Sequence, residues 1–521
     1  MSHTSEEKKT ALEWIDRKKQ WISDFDQLIW SYAEPGLREY KSARAYCKVL
    51  RDEGFHVLEG TGGMQTAFLA SWGEGKPVLA SFAEYDAVPE NNQAATPYKK
   101  LRDENLHPYA AGHTDPHSAL GVTALAGILG AKAAMETRKL KGTLKFFGEP
   151  AEKICISKPY HAAKGYYNDL DACILYHPRN NNTVNWETHA GAYWNTAYTF
   201  EADRPEEWRS PAPTVGWYRS FPGALDAVCL MYTTTKYTKE AMHARTAGWT
   251  LTEFITIGGQ STTAPPLISQ IDYAFRSPTL QMQERIHEFL KRNAKTTAEA
   301  CGCRVTERIV TKTRVGLHNK TMAELAYRNL ELAGPTIYGE DAKKLGREIQ
   351  KNLGHQPMDD PFTEDCQKLT LPEQAEAGMR RLLPAWAPNY SSDDYVEYTW
   401  HAPCARIYTA KATLRPYPNS RYPSWTSIAM AGMRETIDPM ILTGAKAIAM
   451  SLVELLTSPS ELAKAQEEFR SRTGGGIGGT KWVPPLLPPE LPPPVDMRWP
   501  EYVTTERGQE WWIPTPRGDQ S

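Results

Sequence analysis

Cysteine is scarce in this chain, with eight in 521 residues, at positions 47, 155, 173, 229, 301, 303, 366 and 404. That density builds no disulfide framework and makes the cytoplasm the simplest compartment. Cys301-Gly302-Cys303 is the one spacing that hints at metal or redox chemistry, but its place between a helix and a strand reads as buried thiols. Blocks of like charge are also missing, and the formal net charge is -2. No basic stripe offers itself to a nucleic acid or an anionic membrane. The N-terminal MSHTSEEKKT lacks the apolar stretch of a secretory signal. No apolar run approaches the roughly 20 residues that a membrane span needs.

What is present is an alternation of apolar runs and helical patterns. Leu12, Trp14, Ile15, Trp21 and Ile22 share one helical face within a helical region over 5–53. Strands are expected at 56–58, 67–70, 77–82, 142–147 and 172–176, with an Ala-rich helix over 118–137. Such alternation predicts an α/β fold, a mostly parallel central sheet flanked by helices. From about residue 189 the order becomes strand, helix, two strands, helix, strand, a compact β-α-β-β-α-β unit with its loop over 204–222. Helices return after 318, a strand is expected over 402–414, and a helix over 437–456 closes the fold. The chain divides into a first catalytic part (1–188), an inserted unit (189–312), a second catalytic part (313–470) and a tail (471–521). Seven prolines fall within residues 484–494, a composition that favours polyproline II. Trp499, Trp511 and Trp512 suit a strap anchored on the protein's own surface better than a ligand for another protein.

Three segments carry candidate chemistry, each at the carboxyl end of an expected strand or just before a helix, where open α/β sheets place ligands. In Gly112-His113-Thr114-Asp115-Pro116-His117, three imidazole or carboxylate groups alternate; such donors suit Zn, Mn, Fe or Ni, although polar residues before a helix also serve as caps. Glu149 and Glu152-Lys153 follow the strand at 142–147. His177 follows the strand at 172–176, and Pro178 stops it.

Together these segments resemble the zinc aminoacylase/carboxypeptidase family of metallopeptidase clan MH, most closely its aminobenzoyl-glutamate hydrolase branch. Leu28–Tyr40, Gly75-Lys76-Pro77-Val78 followed by Ala83-Glu84-Tyr85-Asp86-Ala87, Ala224–Val228 and Ser427–Met433 extend the resemblance to about residue 470. It implies that the inserted unit is a lid and dimerisation domain, and that the protein is a homodimer acting on a small molecule. Carried over position by position, Asp115 takes the place of the bridging metal ligand, His117 and His177 those of single-metal ligands, and Glu152 that of the general base. Two matches fail on the same ion, since Lys153 stands where a glutamate ligand belongs and Met430 where a histidine belongs. The resemblance therefore implies one divalent ion, Zn or Mn, held by Asp115, His117 and His177, with no organic cofactor. Lys153 is expected to put its ammonium where the other cation would sit. His113, Glu84, Asp86 and Asp394 are expected to orient the ligands. The lid lacks the family's histidine, and Thr263 replaces an asparagine that meets a substrate carboxylate. Trp208, Trp217, Tyr218 and Arg219 suit a flat aromatic substrate instead.

The activity these residues imply is hydrolysis of a C–N bond in a small, aromatic amide. The alternatives are deamination of an aromatic amine on the same scaffold, or a non-hydrolytic member that serves as a binding protein, scaffold or cyclase.

Overall fold

A computed structural model describes residues 4–104, 106–205, 222–243, 248–259 and 265–497, together with the backbone of 502–505 and 508–511. In chain order the strands are β1 (His56–Glu59), β2 (Phe68–Glu74), β3 (Val78–Ala83), β4 (Gly142–Gly148), β5 (Ala172–Arg179), β6 (Thr183–Val184), β7 (Ala190–Ala202), β8 (Thr250–Ile257), β9 (Ile268–Ser277), β10 (Cys303–Lys312), β11 (Tyr390–Ser392) and β12 (Cys404–Ala410). A separate ribbon pairs β13 (Tyr502–Thr505) with β14 (Gly508–Trp511).

The larger sheet has the order β1-β2-β4-β3-β5-β12-β6. Its centre is parallel, through β4–β3, β3–β5 and β5–β12, while β1, β2 and β6 join antiparallel at the edges. Every residue of β3, Val-Leu-Ala-Ser-Phe-Ala, is buried, as a parallel strand covered on both faces requires. The sequence pattern foresaw this sheet except for the two residues of β6, too short to leave a periodic trace.

Two helices pack together over the sheet, His117–Arg138 and Arg434–Thr457. By length and composition both pass as membrane spans, contrary to the reading of the sequence. Their apolar windows are 94% and 67% buried within the fold, so packing against protein accounts for the composition. Small residues let them touch closely. A Cβ on Gly127 would lie 2.6 Å from Ile448 Cγ2.

The second sheet runs β10-β7-β9-β8, all antiparallel. Helices Ala224–Met242 and Leu280–Ala300 pack on one face of it around Met231, Phe275, Ile286 and Leu290. Both sheets agree with the expected fold class. Between the two units, Ile156 and Tyr160 meet Ala197 and Val310, with Leu487 of the proline-rich segment closing the cluster. The tail lies on this seam. Arg308 holds Asp496 through two bonds of 2.7 and 2.8 Å, and Arg38 Nη2 donates to Met497 O at 2.8 Å. Trp499 and Trp512, and the side chain of Trp511, lie outside the described residues.

Candidate metal centre

The centre is built at the carboxyl ends of three adjacent parallel strands and one helix start. β3 delivers Glu84 and Asp86, β4 leads to Glu149 and Glu152, and β5 carries His177 near its end. His117 opens the long buried helix directly after Pro116. Glu152 and Lys153 sit on a single 3-10 turn between Ala151 (φ 56°) and Cys155 (φ 52°). Two left-handed non-glycine residues within one short turn store backbone strain, which a fold retains when it fixes side chains for a task.

Both histidines are held in one tautomer. The His117 Nδ1–H donates to Asp86 Oδ1 at 2.6 Å, and the His177 Nδ1–H donates to Pro178 O at 2.7 Å. Each ring therefore turns an unprotonated Nε2 inward, the arrangement that metal-binding imidazoles adopt. The rings stand nearly perpendicular, with centroids 5.9 Å apart. Glu84 Oε2 and Glu152 Oε2 each lie 3.3 Å from His117 Nε2. Asp115 Oδ2 lies 3.4 Å from His177 Nε2.

Cations enter the same space. Lys153 Nζ donates to His117 Nε2 at 2.7 Å and reaches Asp115 Oδ2 at 3.4 Å. The Lys158 ammonium bridges Asp394 Oδ1 (2.6 Å) and Glu84 Oε1 (2.8 Å). Arg406 Nη1 donates to Asp393 Oδ2 at 2.6 Å, and Lys411 lies 3.8 Å from Asp115.

These charges shift one another. Burial, with the Glu84 and Asp393 carboxylates beside it, pushes Glu152 up to about 7. Burial likewise pushes Glu84 up to about 7, opposed by Lys158. Asp115 is held well below the usual carboxylate range, because Lys153, His177 and Lys411 outweigh the cost of its burial. Burial, then the Asp115 carboxylate acting in the opposite sense, sets His177 at about 3, so its imidazole is neutral.

No family model matches the chain. A p-aminobenzoyl-glutamate hydrolase polypeptide of Escherichia coli K12 is 26% identical over 484 residues, spanning 88% of this chain and 94% of the relative. A mouse Xaa-Arg dipeptidase is 24% identical over 361 residues, 67% of this chain and 76% of its own. Among solved structures, an aminobenzoyl-glutamate utilization protein from Klebsiella pneumoniae superposes with a TM-score of 0.51 at 13% identity, covering 85% of this chain and 98% of that one. The chain belongs to the zinc aminoacylase/carboxypeptidase family.

Set against what the resemblance to this family implied, most of the expected residues converge and several change place. Glu84, His117 and His177 bring one ligand atom each within 4.8 Å of one another, and Glu84, Glu152, Asp393 and Asp394 form a second such group. Glu84, expected to orient a histidine, thus stands among the candidate ligands itself. Asp86 does orient His117, and Asp115 borders the centre with its side chain 39% exposed. Asp394 reaches the centre only through Lys158. Buried His113 has no hydrogen-bond partner among the described residues on either ring nitrogen, and burial beside His117 drives it down to about 3. Met430 lies in an apolar cluster with Tyr338, Phe362 and Met433. Glu149 faces a separate buried network, accepting from Tyr167 and Tyr398 (2.6 Å each) and from His161 (2.9 Å). Trp208, Trp217, Tyr218, Arg219 and Thr263 lie outside the described residues. Lys158, Asp393 and Arg406 were missed. Asp393 had a signal, standing beside Asp394, whereas the other two are brought in by tertiary folding alone.

A family metal ion fits this donor set. Two unprotonated Nε2 atoms and carboxylate oxygens are borderline-to-hard donors of the kind Zn and Mn accept. Glu84 Oε2 is buried without a hydrogen-bond partner among the described residues, a costly state unless a cation meets it. Among the described residues, six carboxylates (Glu84, Asp86, Asp115, Glu152, Asp393 and Asp394) also face only four side-chain cations (Lys153, Lys158, Arg406 and Lys411). The excess of two negative charges is the charge of one divalent ion.

Proposed function

We propose that the protein is a metal-dependent hydrolase of a C–N bond in a small amide, using one divalent ion. His117, His177 and the Glu84 or Asp115 carboxylate would hold the ion. When bound, it supplies Lewis acidity toward a carbonyl oxygen and a water molecule. Glu152 is the general base. Its carboxylate takes a proton from the attacking water at Oε2 and passes it to the departing nitrogen. A pKa raised to about 7 suits both halves of that transfer near neutral pH. Asp86 keeps the His117 proton on Nδ1 throughout.

The observation that carries this reading is the placement of Glu152 Oε2 3.3 Å from His117 Nε2. A base there is within reach of any water bound at the imidazole. An aromatic substrate is supported by the E. coli relative, whose name is that of an aminobenzoyl-glutamate hydrolase. Assembly as a homodimer is supported by β8, an edge strand that pairs only with β9 among the described residues and exposes Phe254 and Ile255 (43% and 41%).

One observation favours a second reading. The Lys153 ammonium takes the lone pair of His117 Nε2 that an ion would use, as in a non-hydrolytic protein that replaced its metal with an internal cation. Elemental mass spectrometry on protein purified without a chelating tag separates the two. About one Zn or Mn per chain, with turnover of N-aroyl amino acids or anilides, is expected. A chain that binds no ion after reconstitution sinks the hydrolase reading and leaves the metal-free one.

A further inference from the structure

Glu84, Glu152, Asp393 and Asp394 each bring a carboxylate oxygen within 4.8 Å of the others. Four anions cannot share so small a volume without cations among them. Two side chains meet that need. Arg406 Nη1 lies 2.6 Å from Asp393 Oδ2. Lys158 stands on the short helix Ser157–Ala163 and is fully buried, its ammonium 2.6 Å from Asp394 Oδ1 and 2.8 Å from Glu84 Oε1. The same ammonium lies 4.8 Å from the centre of the Phe82 ring, on the apolar side of its pocket.

Lys158 is thus placed as an ion is placed, between oxygens of two carboxylates and away from solvent. Asp394 Oδ2 remains buried with no hydrogen-bond partner among the described residues, so the cluster still holds acceptor capacity. Glu84 belongs both to this cluster and to the group containing His117 and His177. Whatever fills the acidic cluster therefore also fixes which Glu84 oxygen faces the histidines. With Oε1 held by Lys158, Oε2 is the atom 3.3 Å from His117 Nε2.

We propose that Lys158 is a positioning residue, a built-in cation that fills the acidic half of the centre and limits the chain to one divalent ion on the histidine side. The inference rests on the metal-hydrolase reading only for that histidine-side ion. The acidic half itself offers oxygen donors alone, a hard set that suits Mn²⁺ once the ammonium is gone.

The test uses the full chain, Mn²⁺ as the only metal, and the number of ions per chain as the readout. Lys158→Met removes the charge at similar length and is expected to bind one Mn²⁺ more than the unaltered protein. Lys158→Arg keeps a cation in the cluster and is expected to bind the same number as the unaltered protein. A folded Lys158→Met, with an unchanged circular dichroism spectrum, that binds no additional ion overturns the proposal. Should the variant unfold without metal, refolding in Mn²⁺ with the additional ion bound supports it, and failure to refold in Mn²⁺ overturns it. The unaltered protein serves as the control for the function above. A count of zero there defeats the hydrolase reading, while the difference between variant and parent still decides the role of Lys158.

Discussion

Lys153 Nζ and His117 Nε2 are 2.7 Å apart, and the nitrogen that accepts this bond is one that a metal ion would use. An incoming ion must turn the ammonium away, which the lysine's partly exposed position permits, its side chain being 19% accessible. Nearby Asp115 gives the displaced ammonium a partner at 3.4 Å. Replacing Lys153 by methionine removes both the competitor and a like charge beside the ion. The expected result is metal binding about tenfold tighter, roughly 1.4 kcal/mol, measured by competition against a chelator. Unchanged affinity would mean that the ammonium does not compete with the ion.

The opposite effect is expected at Asp86. Its Oδ1 fixes the His117 tautomer at 2.6 Å and its Oδ2 accepts from the Lys153 backbone N–H at 2.8 Å. Asp86→Asn can present an N–H to the imidazole and turn the proton to the wrong nitrogen. Metal affinity should fall about 10- to 100-fold, as such outer partners usually show. The same chelator titration reads it, with thermal unfolding of the metal-free protein as the control for damage to the fold.

Glu152→Gln separates binding from chemistry. The amide keeps the size of the side chain and cannot take a proton. Turnover should drop by about 10²–10⁴, while metal content stays at the parent level. Parallel loss of metal and activity would instead make Glu152 a ligand.

Much of this centre was legible because the sequence marks strand ends. Asp115, His117, Glu152 and His177 each follow an apolar run or open a helix, and the parallel sheet gathers those ends at one edge. Glu84 was legible as a participant and misjudged in role. Glu84 and Asp86 alternate along the chain and so face the same way, and only distances of a few ångströms decide which one meets the ion. Met430 is simpler, because a thioether at that place packs among Tyr338, Phe362 and Met433 as any core residue would. Lys158 and Asp394 are 236 residues apart in sequence, so no local pattern could announce their pairing. The apolar helices show the same limit from the other side. Composition alone cannot distinguish a helix wrapped in protein from one wrapped in lipid.

A stability prediction concerns the second sheet. Asp272 on β9 accepts from Gln270 Nε2 at 3.0 Å and Thr256 Oγ1 at 3.3 Å, and its burial pushes it up to about 6 from 3.8. A carboxyl with a raised folded pKa binds its proton more tightly in the folded state. The unfolded chain begins to release the proton near 3.8 and the folded chain only near 6, so folding loses stability as pH rises across that window and stays lower above it. Asp272→Asn retains the acceptor oxygen and carries no charge. Its stability relative to the parent should therefore improve by about 1 kcal/mol between about pH 5 and pH 8, read from urea unfolding at the two pH values.

Arg314 joins three parts of the chain just after β10. Its Nε donates to Glu397 Oε2 and its backbone N–H to Glu397 Oε1, at 2.8 Å each, while Nη1 donates to Val483 O at 2.8 Å in the segment that leads into the prolines. The side chain is fully buried. Arg314→Met leaves a buried Glu397 carboxylate unpaired and the Val483 carbonyl without its donor, a loss of roughly 3–5 kcal/mol. Arg314→Met combined with Glu397→Gln removes both charges and should recover a good part of that loss. Hydrogen exchange adds the structural readout. If Arg314 ties the tail to the body, amides around Val483 exchange faster in both variants, because neither retains the guanidinium. If only the ion pair matters, exchange there returns to the parent rate in the double variant.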